Sequence, residues 1–263
     1  MFSRKDWGDG SDEERFSGEL ARLKRQGASI LVVGAVQRAH RRAICRRLFG
    51  QATTQPRRRL FVSTTGDCRR TSTLFDEATA SDHHAFISYE AHSRSAGAAA
   101  GNVETDVELD AGSKPESNPN PYSIGADDSS TDPQSDPLSA TEVTSLAELG
   151  IAISNAIETF ETESNGLAPA ELRIGIESLA PLLEAYGAER VFKFVHLTNG
   201  RTRDIDGMIH YHLPMKRDTD VVSVLTPLFD IVIELREHND TAQQRWTIND
   251  GTCSSGWLPI EQS

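Results

Sequence analysis

Lysine is scarce in this chain: five of its twenty-seven basic residues, the other twenty-two being arginine. Cysteine occurs only as Cys45, Cys68 and Cys253, with no C-x-x-C spacing, which excludes a disulfide framework and a cysteine-rich zinc module. Buried thiols in a reducing compartment are the expectation. No run of eighteen apolar residues occurs, which excludes a spanning helix. The opening residues, MFSRKDWGDGSDEERFSGEL, lack the apolar core of a secretory signal. A cytoplasmic protein without membrane insertion is therefore expected.

What is abundant is acid. The net charge is -12 over 263 residues, but it is unevenly spread. Residues 21–70 hold thirteen Lys/Arg against one acid, Asp67, whereas residues 71–263 hold eleven bases against thirty-two acids. An acidic, lysine-poor chain is typical of salt-adapted proteins and speaks to solubility, not to fold. In such a cytosol the basic segment reaches less far, since screening shortens to roughly 3 Å at 1 M salt.

The pattern along the chain alternates strand and helix. A polar tail over 1–17 is expected to be flexible, with a short helix over 18–26 stopped at Gly27. SILVVGAV is short and almost wholly apolar, as in a strand covered on both faces. A helix over 37–49 follows, with Arg38, Arg41, Arg42 and Arg46 on one face and Ile44 and Leu48 on another. RRRLFVSTTGD supplies a second strand at Leu60–Thr64, with Arg57, Arg58 and Arg59 read as a solvated turn before it. HHAFISYE supplies a third. Residues 93–141 hold five of the eleven prolines and almost no large apolar side chain, so they are expected to be an acidic, disordered insertion. Beyond it a helix capped by Ser139 or Thr141 is expected, carrying Leu146, Leu149, Ile153, Ile157 and Phe160 at helical spacing. ELRIGIES is then a strand, LAPLLEAYG a helix ending at Gly187, AERVFKFVHLTNGRTRDID another helix, and GMIHYHLP a strand. DTDVVSVLTPLF is helical up to Thr226, before Pro227, and FDIVIELRE with AQQRWTIND a hairpin.

Alternation of this kind predicts an α/β fold with helices on both faces of a mostly parallel sheet, and the hairpin adds an antiparallel edge. Ligands in such folds sit beyond the carboxyl ends of the strands, which points to the loops after Val33, Thr64, Glu177 and Leu213.

The succession RLFVST, LRIGIESLAPLLEAYG, RVFKFVHLTNGRTRDIDGMIHYHLP and LFDIVIELRE resembles the RecA-like ATPases of the P-loop superfamily, nearest their KaiC and RadA-type branch. Ile176-Glu177-Ser178-Leu179-Ala180-Pro181-Leu182-Leu183 stands where that branch runs from its Walker B strand into the next helix. The likeness covers about 27–90 and 142–250, and implies a three-layer RecA-like domain over 18–263 interrupted by the insertion. It is similar to haloarchaeal families that keep this core without its Walker A motif.

The departures govern what the resemblance implies. A P-loop needs glycines to wrap phosphates, a lysine on the β/γ oxygens and a hydroxyl on magnesium. In Gly34-Ala35-Val36-Gln37-Arg38-Ala39-His40-Arg41-Arg42 only the first glycine remains; Ala39, His40 and Arg41 replace the second glycine, the lysine and the hydroxyl. Glu177 replaces the Walker B aspartate, and after the second strand STTGDC offers only Asp67 as an activating acid. Phosphoryl transfer depends on positioning and charge stabilisation, so joint loss of these parts removes hydrolysis. The relic nucleotide site thus comprises Gly34, Arg38, His40, Arg41, Glu177 and Ser178, with no catalytic residue, no metal and no required cofactor. The implied function is a non-hydrolysing regulatory or protein-interaction domain, acting as a homo-oligomer or with a protein partner.

Two alternatives remain open. The domain is an ATP sensor using Gly34, Arg38 and Arg41, or it associates with DNA through the basic 38–59 segment. No aromatic residues interleave those arginines as stacking platforms. His210 and His212 alternate on one strand, and His83 and His84 lie in a loop, but no local spacing supplies a third metal ligand. Cys68 lies near the expected cleft mouth and is read as an inert thiol. Glu177 and Ser178 are read equally as capping the next helix, and Trp246 and Trp257 as core and lid aromatics.

Overall fold

Every residue of Ala28–Val33 is buried, and a strand without a solvated face needs cover on both sides. The computed structural model describes residues 10–50, 57–65, 84–90, 141–249 and 251–261. These belong to one body made from residues 1–92 and 138–263. The acidic stretch 91–140, together with Asp67, Cys68 and His83, lies outside the described residues.

In chain order the elements are α1 (Gly10–Gln26), β1 (Ala28–Val33), α2 (Arg38–Leu48), β2 (Arg58–Ser63), β3 (His84–Tyr89), β4 (Thr141–Val143), α3 (Leu146–Ser164) and β5 (Leu172–Ile176). Then come α4 (Ala180–Arg203), β6 (Met208–Leu213), α5 (Asp220–Leu225) with a 3-10 turn at Thr226–Leu228, β7 (Ile231–His238), β8 (Thr241–Ile248), β9 (Cys253–Ser254) and β10 (Leu258–Pro259). The strands form one sheet in the order β10-β8-β7-β1-β6-β5-β2-β3-β4, with β9 also on β8. Pairing is parallel from β7 to β4 and antiparallel among β7, β8, β9 and β10. The α/β fold with its antiparallel C-terminal strands is the one the sequence pattern predicts.

Alternate residues of each strand serve opposite layers. Leu31, Val33, Ile174, Ile176, Ile209 and Tyr211 pack against α3 and α4 through Leu149, Ile153, Ile157, Leu182, Val191 and Val195. Ile30, Val32, Ile231 and Ile233 pack on the other side against Phe16 and Leu23 of α1 and Ile44 and Leu48 of α2. Full burial of each such aliphatic side chain contributes about 1.5–3 kcal/mol, which makes the two-sided cover of β1 the dominant stabilising feature. From β1 the chain travels toward β2, whereas from β5 through β6 to β7 it travels the opposite way. Right-handed crossovers put these opposite paths on opposite faces, as α2 against α4 and α5 are placed here. The reversal falls between β1 and β6, and in folds of this kind the ligand crevice belongs at such a point, beyond the strand ends.

Several local readings change. Helix α1 starts at Gly10, inside the 1–17 stretch expected to be a polar tail, because Phe16 is drawn into the core. Thr141 lies in the short strand β4, and α3 is capped by Ser145: its side chain accepts from the Glu148 N–H, and Glu148 reaches back to the Ser145 N–H. This capping box satisfies two free donors at once; Ser139, the other expected cap, lies outside the described residues. Gly187, at φ 76°, breaks α4 where two helices were expected. Asn239 and Asp240, both at positive φ, make the tight turn of the hairpin. Trp246 is a core residue as expected, while Trp257 packs against Arg236 and Arg245, whose guanidinium carbons lie 3.7 and 4.7 Å from its ring centre. Among the described residues no helix is long and apolar enough to cross a membrane.

Arg57, Arg58 and Arg59 are not a solvated turn: Arg57 directly precedes β2, and Arg58 and Arg59 belong to it. Arg57 donates to the Ala170 carbonyl at 3.0 Å and Arg59 to the Phe49 carbonyl at 3.1 Å, while Arg173 of β5 reaches the Leu48 carbonyl at 3.5 Å. Arg59 and Arg173 thereby satisfy carbonyls at the C-terminal end of α2, where positive charge also complements the helix dipole. Burial, with Arg57 and Arg59 nearby, weakens the proton affinity of Arg173. Replacing Arg59 by Met keeps the length and removes the donor from a buried carbonyl. Urea unfolding is expected to show a loss of about 1–3 kcal/mol with an unchanged denaturant slope.

Candidate functional site

At the end of β1 the chain passes close to β7. Gly34 has φ +121°, and a Cβ there would lie 2.2 Å from the Leu235 carbonyl oxygen. Its N–H donates to the Met215 carbonyl at 2.8 Å. Only glycine fits this approach, so packing of β1 on β7 is enough to require Gly34.

Helix α2 starts four residues later, at Arg38, without a side-chain cap. A carboxylate from β7 fills that role: Glu237 Oε1 accepts from the Gln37 N–H at 3.1 Å and lies 3.5 Å from His40 Nδ1. The end of a helix where N–H groups point outward attracts anions, and here the chain supplies its own.

Glu177 leaves β5 on the other side of β6. Its Oε2 accepts from the Ser63 hydroxyl at 2.9 Å, the Thr65 hydroxyl at 2.8 Å and the Thr64 N–H at 3.3 Å. Its Oε1 lies 3.6 Å from Arg38 Nη2. Ser178 belongs to the same junction: its carbonyl accepts from the Thr64 hydroxyl at 2.7 Å, and its hydroxyl accepts from the Ala180 N–H at 3.2 Å. Helix-start bonding is therefore the observed role of Ser178. Arg41 is half-buried, and burial together with Arg38 lowers its proton affinity against the opposing effect of Glu177.

Of the six residues picked out in the sequence, the structure joins Arg38 to Glu177, with Arg41 in their field and Ser178 adjoining. His40 is drawn instead to Glu237, and Gly34 to Leu235. Glu237 escaped notice because nothing in its local sequence marks it; it arrives through the parallel pairing of β1 with β7. The hydroxyl run Ser63-Thr64-Thr65 was visible at a strand end, but its acceptor lies more than a hundred residues away.

A second cluster lies beneath α2. His210 and His212 point from β6 toward the helix, and Cys45 meets them: its Sγ is 3.3 Å from His210 Nε2. The donor atoms of Cys45, His210 and His212 all lie within 4.8 Å of one another, and all three residues are buried. Gly175 on β5 makes the room, since a Cβ there would sit 2.7 Å from His210 Cε1 and 2.5 Å from Phe49 Cζ. Burial pushes the Cys45 thiol up and holds both imidazoles neutral, His212 down to about 3 with Arg41 contributing.

The Glu177 junction yields a contrast. Glu177→Ala leaves the fully buried Ser63 hydroxyl and the Thr64 N–H without this acceptor, so a cost of about 1–3 kcal/mol is expected. Arg38→Ala removes a half-exposed ion pair and is expected to cost under about 1 kcal/mol. Thermal and urea unfolding of the two variants check the order; equal losses would mean that the ion pair, not the hydroxyl latch, holds the loop.

No curated protein matches the sequence. A family model does match, over residues 27–235, from the turn before β1 into β7. This span holds the Glu177 junction and the Cys45–His210–His212 cluster but stops two residues short of Glu237, and the chain belongs to the family it describes, a family of unknown function (DUF7504).

Proposed function

We propose that this chain is a non-hydrolysing, RecA/KaiC-like domain, a pseudo-ATPase that acts through protein contacts. The observation that carries the reading is the occupation of the crevice by its own carboxylates. Glu237 takes the N-terminal end of α2, where a phosphate would be held, and Glu177 is engaged by three donors and Arg38. A triphosphate would have to displace a like-charged group at each place. With arginine at the hydroxyl position, a magnesium ion would face repulsion as well. The mostly parallel sheet with its crevice at the β1/β6 reversal is compatible with this descent.

An interaction role is supported by the opposite layer. Ile151 and Leu197 are 60% and 71% exposed. They border a groove of about 720 Å³ between α3 and α4, whose wall includes Leu146, Tyr186 and Phe194. Large apolar side chains grouped on a surface mark contact sites. Self-association through this face is the expected form of contact.

Two measurements test the reading. Incubation with ATP and magnesium is expected to release no phosphate above buffer and to raise the thermal midpoint no more than sulfate at matched ionic strength. Turnover that Glu177→Gln abolishes would overturn it, and an ATP-specific shift removed by Arg41→Glu would favour a nucleotide sensor. By light scattering the wild type is expected to be oligomeric and Leu197→Asp to be smaller at an unchanged thermal midpoint; a strictly monomeric wild type removes the homo-oligomer.

A further inference from the structure

We infer that Cys45, His210 and His212 form a binding site for a closed-shell, thiophilic metal ion, Zn2+ or Cu+, which pins helix α2 to strand β6. This site shares no residue with the Glu177 and Glu237 contacts and does not depend on the pseudo-ATPase reading.

Position comes first. His210 and His212 stand two apart on β6, so their side chains leave the same face of the sheet, and Cys45 lies on the inward side of α2. The three donors come from two elements 165 residues apart in sequence, packed across a layer. A tetrahedral zinc with sulfur at about 2.3 Å and nitrogen at about 2.0–2.1 Å places its ligand atoms roughly 3.4–3.6 Å apart. The Cys45–His210 pair, at 3.3 Å, is a few tenths of an ångström inside that spacing. All three atoms lie within 4.8 Å of one another, so side-chain rotation of about an ångström closes the set.

Unmet bonding comes second. His212 is 4% exposed, and neither of its ring nitrogens has a hydrogen-bond partner among the described residues. A buried imidazole left without partners is costly, and such groups in folded proteins call for an explanation such as an ion. His210 supplies the complementary arrangement. Its Nε2 faces the Cys45 sulfur, so the ring already presents a donor atom to the same point as the thiol. Phe49, edge-on to His210 with ring centres 4.9 Å apart, and Gly175 hold the imidazole in place.

Ligand chemistry selects the ion. One thiolate and two neutral imidazoles suit zinc or cuprous copper and not magnesium or calcium, which require oxygen ligands. Binding replaces the Cys45 S–H by a sulfur–metal bond and releases that proton to solvent. Because α2 begins at the Gln37–Glu237 contact, the ion would fix the helix on which the relic nucleotide site is built.

The test uses the full chain, reduced and stripped with a chelator, then titrated anaerobically with Co2+ as a zinc surrogate and, separately, with Cu+. The expected result is one equivalent bound, a raised thermal midpoint and, for cobalt, a thiolate-to-metal charge-transfer band. Cys68→Ser and Cys253→Ser should retain the band. Cys45→Ser should lose it, and His212→Ala should weaken affinity at least about 100-fold, beyond the usual effect of altering an outer-shell partner. Uptake of Cu+ alone, at one equivalent and dependent on Cys45, assigns the site to copper. X-ray absorption of the loaded wild type serves where a variant fails to fold, with one sulfur and two imidazoles expected. A folded wild type that takes up neither ion, or a band that survives Cys45→Ser, overturns the site.

Discussion

Everything in this fold depends on β1 being hydrogen-bonded between two parallel neighbours and walled on both faces. Its six residues have no solvated side, so helices must cover each layer, and the strand must exit where β7 leaves space for a glycine and nothing larger. That packing is enough to require the glycine at 34. The same neighbour relationship brings Glu237 to the start of α2, so the geometry that would orient N–H groups toward a ligand also delivers the carboxylate that accepts one of them.

The sheet, its helices and the closing hairpin were legible because they rest on local periodicity. SILVV is apolar throughout, α3 repeats every three or four residues, and the residues around Asn239 favour a tight turn. The short strands β4, β9 and β10 were not legible: two or three residues carry no period, and their pairing is decided by neighbours distant in sequence. Arginines 57 and 59 misled for a related reason. A run of three cations usually faces water, yet here two of them meet carbonyls at a helix end and at a loop. The capping of α3 turned on a reciprocal Ser145–Glu148 pair that outcompetes a lone hydroxyl.

The candidate site divides in the same manner. Glu177 was visible as a carboxylate at a strand end, and its link to Arg38 follows from the crevice that the strand order creates. Its three donors from the Ser63–Thr65 segment, and the approach of Glu237 to His40, needed the register of the sheet. Cys45, His210 and His212 illustrate the limit most clearly. Two histidines at alternate positions suggest at most half of a ligand set, and the third member sits on another element with no spacing rule to connect it. Gly175 is part of the same arrangement, since its missing side chain is what lets Phe49 and His210 approach each other.

The two borders of the sheet carry one more consequence. On one side the last strand is β4, only three residues long, with Glu142 exposed at its centre; on the other, β10 is two residues long and ends in Pro259, which has no amide hydrogen to donate. Borders that are short, charged or proline-bearing are poor templates for an incoming β-segment. At these borders, as the described residues form them, enlargement of the sheet by a second molecule, including the runaway stacking that leads to fibrils, is thus disfavoured.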